Sequence, residues 1–186
     1  MRVTRSNCLL LVVDVQERLI DTIAEHRTIV ENLKALLKVA QLIHLPVLAT
    51  KQEKLGEIVP ELQGLLRDFP KFSKLSFSCC GDTSFLRRLR QPRRKIVIVC
   101  GIETHVCVLQ TALDLLKLHY HVMVVKDATS SHAVIDRDTS IERMQNTGAV
   151  ITTTEALIYE LTEKAGTEEF RRMLEIVKER RTTHPP

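Results

Sequence analysis

Apolar residues fall along the chain in two alternating arrangements. Unbroken runs of strand length occur at 9–13 (LLLVV), 46–49, 96–100 (IVIVC), 122–125 and 149–152, and longer stretches of helical spacing lie between them. That alternation is the grammar of βαβ units. LLLVV and IVIVC contain no polar alternation, so helices are expected on both of their faces, as in a parallel sheet. A helix over 28–43 puts Ile29, Leu33, Leu36, Leu37, Ala40 and Ile43 on one stripe, and a second over 104–118 is apolar around most of its circumference, which predicts burial. Residues 141–146 predict a third helix, stopped by Gly148. The segment 167–180 predicts a last one, with Phe170, Met173, Leu174 and Val177 at i, i+3, i+4 and i+7, acidic residues at its start and basic ones at its end. Between 52 and 80 the periodicity is poor, and only a short helix at 60–66 and a strand near 69–73 are suggested.

These elements predict an α/β fold: a doubly wound, mainly parallel six-stranded sheet with helices on both faces, a Rossmann-like three-layer sandwich. The 186 residues suit one domain over 1–181 followed by a loose tail over 182–186. With 44% hydrophobic and 27% charged residues, the composition excludes disordered and collagen-like chains. A net charge of +4 demands neither a nucleic-acid nor a membrane partner. No run approaches the roughly 20 apolar residues of a membrane span, and the first residues would make a poor signal peptide. The five cysteines are odd in number, Cys8 and Cys100 lie in apolar runs, and no C-x-x-C pair occurs, so reduced thiols and a cytoplasmic location are expected.

In an open parallel sheet, ligands bind beyond the carboxyl ends of the strands, where strand order reverses. The first run ends in Asp14, which suits either a turn or capping carboxylate or a reacting group. The fourth leads into CGIETHVCVLQTALDLL. If Thr104 caps the following helix, Cys107 lies in its first turn, where free N–H groups favour a thiolate; a small core residue is the other use of a cysteine there.

VCGIETHVCVLQTALDLL resembles the nucleophile segment of the isochorismatase-like cysteine hydrolases, relatives of nicotinamidases and carbamoylsarcosine amidases. Asp14 in LLLVVDVQ and Lys74 in KLSFS match two further motifs of that family in its order, and TKQEKLGEIVPEL and VVKDATSS extend the likeness over about 8–161. It is closest to the isochorismatase domain-containing subgroup. The family spacing selects Lys74, with Phe77 and Ser78, over Lys71, which is left as a surface charge.

The resemblance implies an isochorismatase-like fold and a catalytic triad of Asp14, Lys74 and Cys107. Cys107 thiolate would attack a carbonyl carbon, Lys74 would lower the thiol pKa, and Asp14 would carry the proton to a leaving amine, through a thioester. It further implies an oxyanion hole from the backbone N–H groups of Glu103 and Cys107, set by a non-proline cis peptide at Ile102–Glu103. Substrate selection falls to loops around 16–20, 52–58 and 76–80, with Gln16, Gln52, Phe77 and Thr104 as candidate binding residues.

Nicotinamidases carry metal-binding Asp and His after the second strand; here ATKQEKLGEIVPELQGLL has no His, so no metal and no cofactor are expected. Isochorismatases proper lack the Cys, so Cys107 points to an amide-like C–N bond in place of a vinyl ether. The seven histidines show no ligand spacing beyond His119 and His121, whose alternation on a strand would put both on one face. His105, two residues before Cys107, is expected to point away from it. Arg87, Arg88, Arg90, Arg93, Arg94 and Lys95 read as a solvated face, without the interleaved aromatics of a nucleic-acid site. The partners expected are a small-molecule substrate and further copies of the chain, as a dimer or tetramer, through apolar residues of 52–80 and of the last helix. Two other functions fit the same order of elements: a family member that keeps the pocket for binding or assembly with little turnover, and a receiver-like signalling domain using Asp14, Asp68 and Lys126.

Overall fold

A computed structural model describes residues 2–183 of the chain. Its centre is one sheet of six parallel strands, β1 (Cys8–Val13), β2 (Val47–Gln52), β3 (Lys71–Lys74), β4 (Ile96–Ile102), β5 (His121–Ser130) and β6 (Val150–Thr152), ordered 3-2-1-4-5-6. The order reverses between β1 and β4, which pair from Cys8 opposite Ile96 to Val13 opposite Gly101. The crevice above that pair is the place where a doubly wound sheet receives ligands.

Alternate residues of each strand enter two separate hydrophobic clusters. Leu10, Val12, Ile98, Cys100, Met123 and Val125 face α2 (His26–Leu42), α3 (Pro60–Gln63), α7 (Thr154–Thr162) and α8 (Glu168–Thr183). Leu9, Leu11, Val13, Val97, Val99, Val122 and Val124 face α4 (Thr83–Arg90), α5 (Leu109–Lys117) and α6 (Val134–Asn146). Both faces are covered, which explains why these strands read as continuous apolar runs. Gly101 makes the close approach at the reversal possible. Its φ is +112°, and a Cβ there would lie 2.1 Å from the Val13 carbonyl oxygen.

Several elements differ from the sequence expectation. The β5 strand continues through the polar residues Asp127, Thr129 and Ser130, because the Thr129 hydroxyl donates to the Gly101 carbonyl (2.7 Å) and the strand pairs with Gly101 and Ile102. The helices α4, α7 and the four-residue α1 (Glu17–Ile20) were not expected. In α4 only Phe85 and Leu89 are buried, while Arg87, Arg88 and Arg90 face solvent and the Asp82 carboxylate caps the Phe85 N–H at 2.7 Å. His119 and His121 do not share a strand face: His119 sits in the turn before β5 at φ 64°, and His121 opens the strand. The tail expected over 182–186 is helical up to Thr183, and 184–186 lie outside the described residues.

The apolar residues of 52–80 and of α8 mostly serve the chain's own core. Ile58, Val59, Leu62, Leu66, Met173 and Val177 are buried, and only Leu75 and Phe77 stand out as exposed in the first segment. Arg180 anchors α8 by donating to Asp127 Oδ2 (2.9 Å) and to Asn32 Oδ1 (2.5 Å). No helix among the described residues is long and apolar enough to cross a membrane.

Candidate active site

Asp14 follows β1 directly, and its backbone turns left-handed (φ 50°), a conformation Asp tolerates better than most residues. The turn leaves the carboxylate beneath the carboxyl ends of β2 and β3. Lys74 is the last residue of β3, and its Nζ donates to Asp14 Oδ2 at 2.6 Å, with both side chains only 1% exposed. Three further acceptors surround the ammonium: Gln52 Oε1 (2.8 Å), the Phe77 carbonyl (3.0 Å) and the Ser76 carbonyl (3.2 Å). A buried ion pair survives when its remaining donors and acceptors are satisfied in this way. Lys71, three residues earlier, is exposed and donates to the Arg67 and Phe69 carbonyls.

Cys107 is buried in the wide turn Thr104–Val108 that joins β4 to α5, a π-type turn in which the Glu103 carbonyl accepts from both Val106 and Val108. The Ile102–Glu103 peptide bond is cis. Asp14, Lys74 and Cys107 therefore gather at the carboxyl end of the sheet, close enough for the charges of Asp14 and Lys74 both to act on the thiol.

On balance the surroundings of the Cys107 thiol favour its neutral form. Burial pushes its pKa well above the ordinary range, the Asp14 charge adds to the rise, and the nearby Lys74 ammonium only partly opposes them. Lys74 acts in the expected direction, lowering the thiol pKa, but burial and the Asp14 charge outweigh it. The Cys107 sulfur thus lies within reach of one negative and one positive side chain.

Two candidate binding residues have structural duties instead. Gln16 is fully buried; its Nε2 donates to the Gln52 (3.0 Å) and Gly56 (2.8 Å) carbonyls and its Oε1 accepts from the Gln52 N–H (2.7 Å), tying the loop after β2 to the end of β1. Thr104 does not cap the helix; its buried hydroxyl pairs with Thr129 Oγ1 at 3.0 Å. Gln52 bridges Lys74 and the Leu75 carbonyl and remains half-buried, and Phe77 stands 53% exposed above Lys74. His105 points to Ser131 Oγ (2.9 Å) and Glu103 (3.5 Å).

Sequence reasoning missed Thr50 and Cys79. Thr50 Oγ1 donates to Asp14 Oδ1 at 2.8 Å and lies 3.6 Å from the Cys79 sulfur. The available signal was register: Ala49 lies opposite Val12, so Thr50, the first polar residue of β2, lies level with Val13 and next to Asp14, whose N–H donates to its carbonyl (3.2 Å).

Comparison with known families matches residues 8–156 to the Isochorismatase domain. The chain belongs to the isochorismatase family. It is 38% identical over 184 residues to the secreted isochorismatase effector Isc1 of Phytophthora sojae, covering 96% of this chain and 88% of that one. It is 39% identical over 183 residues to mouse isochorismatase domain-containing protein 2B, covering 96% and 84%. Among solved structures, the MAR1 ribonuclease of Caenorhabditis elegans superposes with a TM-score of 0.90 at 34% identity, over 96% of this chain and 93% of that one. The isochorismatase fold and a hydrolase domain are thereby established for this chain. A receiver-like domain is set aside with it: Lys126 lies exposed in the middle of β5, not at its carboxyl end.

Proposed function

We propose that this isochorismatase-family chain is a cysteine-dependent hydrolase that cleaves an amide-like C–N bond of a small molecule. The observation that supports this reading best is the buried 2.6 Å Lys74–Asp14 pair with the Cys107 thiol against the same carboxylate. A thiol beside a base is poised to lose its proton as sulfur bonds to carbon. As the C–S bond forms, the proton passes to Asp14 and Lys74 stabilises the charge left behind. The backbone N–H groups of Glu103 and Cys107 receive the oxyanion. Collapse breaks the C–N bond, and Asp14 returns the proton to the departing nitrogen. Water, deprotonated by Asp14, then hydrolyses the thioester and releases the carboxylic acid, and the sulfur takes back its proton.

RNA is not the substrate proposed, although the C. elegans neighbour is named a ribonuclease. The basic residues 87–95 lead to the amino end of β4, where the Lys95 and Ile96 N–H groups meet the Asn7 carbonyl, at the opposite edge of the sheet from Asp14. We extend the proposal to self-association as a dimer or tetramer. Leu75 (70% exposed) and Phe77 after β3, and Val134 and Ile135 (71% exposed) at the start of α6, give the catalytic end of the sheet an apolar rim. Five free thiols suit the reducing cytoplasm as its location.

The test is a screen of small amides, ureides and carbamoyl compounds with the native protein and Cys107→Ala side by side. Turnover by the native protein alone is expected; turnover that survives the substitution rejects the mechanism. For a protein that binds without turnover, no compound would be hydrolysed and Cys107 would alkylate no faster than Cys8 or Cys100.

A further inference from the structure

Cys79 is a buried thiol beside the site that the mechanism above does not use. Its N–H donates to Thr111 Oγ1 on α5 at 2.9 Å, and its sulfur lies 3.6 Å from Thr50 Oγ1. Thr50 is buried at the end of β2, where its carbonyl also accepts from the Asp14 N–H at 3.2 Å. An ionised carboxylate only accepts hydrogen bonds, so the single hydroxyl proton of Thr50 goes to Asp14 Oδ1 (2.8 Å), and its lone pairs remain for the Cys79 S–H. With Oδ2 on Lys74 and Oδ1 on Thr50, both carboxylate oxygens are anchored and the plane of the group is set. The chain of contacts Asp14, Thr50, Cys79, Thr111 then closes onto α5, the helix that continues from the Cys107 turn.

We infer that Thr50, backed by Cys79, is a positioning residue that fixes the Asp14 carboxylate against the Cys107 thiol. The inference rests on Asp14 being the base for Cys107. A carboxylate anchored on both oxygens stays aimed at the thiol, so removing the Thr50 donor frees the group to turn away from it. Thr50→Ser keeps the donor, whereas Thr50→Val keeps the shape without it.

The experiment measures the rate of iodoacetamide alkylation of Cys107, by peptide mass spectrometry, from about pH 4 to about pH 8. It compares native protein, Thr50→Val, Thr50→Ser, Cys79→Ala and Asp14→Asn, each checked for a native unfolding midpoint. Thr50→Val is expected to shift the profile to about tenfold slower alkylation, Cys79→Ala to shift it the same way by less, and Thr50→Ser to restore it. A Thr50→Val profile that superimposes on the native one, or an equal shift in Thr50→Ser, overturns the inference. If Asp14→Asn leaves the profile unchanged, the base assignment itself fails and takes this inference with it; a profile changed by Asp14→Asn but not by Thr50→Val rejects Thr50 alone.

Discussion

Asp14 holds several roles in a very small volume. It accepts from Lys74 and Thr50 and its charge acts on the Cys107 thiol, all from a left-handed backbone at the end of β1. Charge removal should therefore separate chemistry from folding. Lys74→Met leaves the Asp14 carboxylate buried without its cation and is expected to cost about 3–5 kcal/mol of stability as well as all activity. In the double variant Asp14→Asn/Lys74→Met much of that stability should return while activity stays absent. Urea unfolding of the two proteins checks this; a double variant no more stable than Lys74→Met would mean the pair is not coupled as described. Asp14→Asn alone should abolish turnover and slow Cys107 alkylation, since the amide cannot take the thiol proton.

At the scale of elements, the reversal between β1 and β4 depends on backbone contact at Gly101. Gly101→Ala would drive a Cβ to 2.1 Å from the Val13 carbonyl at a φ of +112° and push apart the two strand ends that carry Asp14 and Cys107. A loss of more than about 3 kcal/mol is expected, together with slower Cys107 alkylation. Gly64 is the internal control, because it ends α3 at φ −62° with nothing near its missing Cβ. Gly64→Ala should be neutral or stabilising by about 0.5 kcal/mol. Thermal melts of the two variants distinguish a packing role from a general intolerance of alanine. The elements the sequence concealed share a physical cause. The α4 helix buries only Phe85 and Leu89 among arginines, so its apolar stripe is too thin to read, and β5 extends into polar residues that find their partners on β4.

Across the whole molecule, buried thiols tie stability to alkaline pH. Burial pushes Cys79 from the ordinary thiol value of 9.0 up to about 11, and Cys8 up to about 12. A thiol whose folded pKa is raised binds its proton more tightly in the folded state. Its contribution is full below pH 9.0 and is lost as pH rises toward about 11 for Cys79. Urea midpoints should therefore fall between about pH 8.5 and about pH 10.5, and fall less steeply in Cys79→Ala. An unchanged slope would show that this thiol does not couple to folding. The other long-range tie is Arg180, through which α8 holds Asp127 and Asn32; Arg180→Met should cost about 1–2 kcal/mol by the same unfolding assay.

The order and period of apolar residues already determined a parallel sheet covered on both faces, and the motifs around Asp14, Lys74 and Cys107 already named the residues that meet above its reversal point. Period depends on neighbours along the chain, which a sequence displays in full. Only the tertiary structure decided that the thiol is buried, that Gln16 and Thr104 are tied into the scaffold, and that Thr50 and Cys79 stand behind Asp14. Those outcomes are set by burial and by partners through space, such as Asp14 with Thr50 and Lys74 at separations of 36 and 60 residues, where periodicity carries no information.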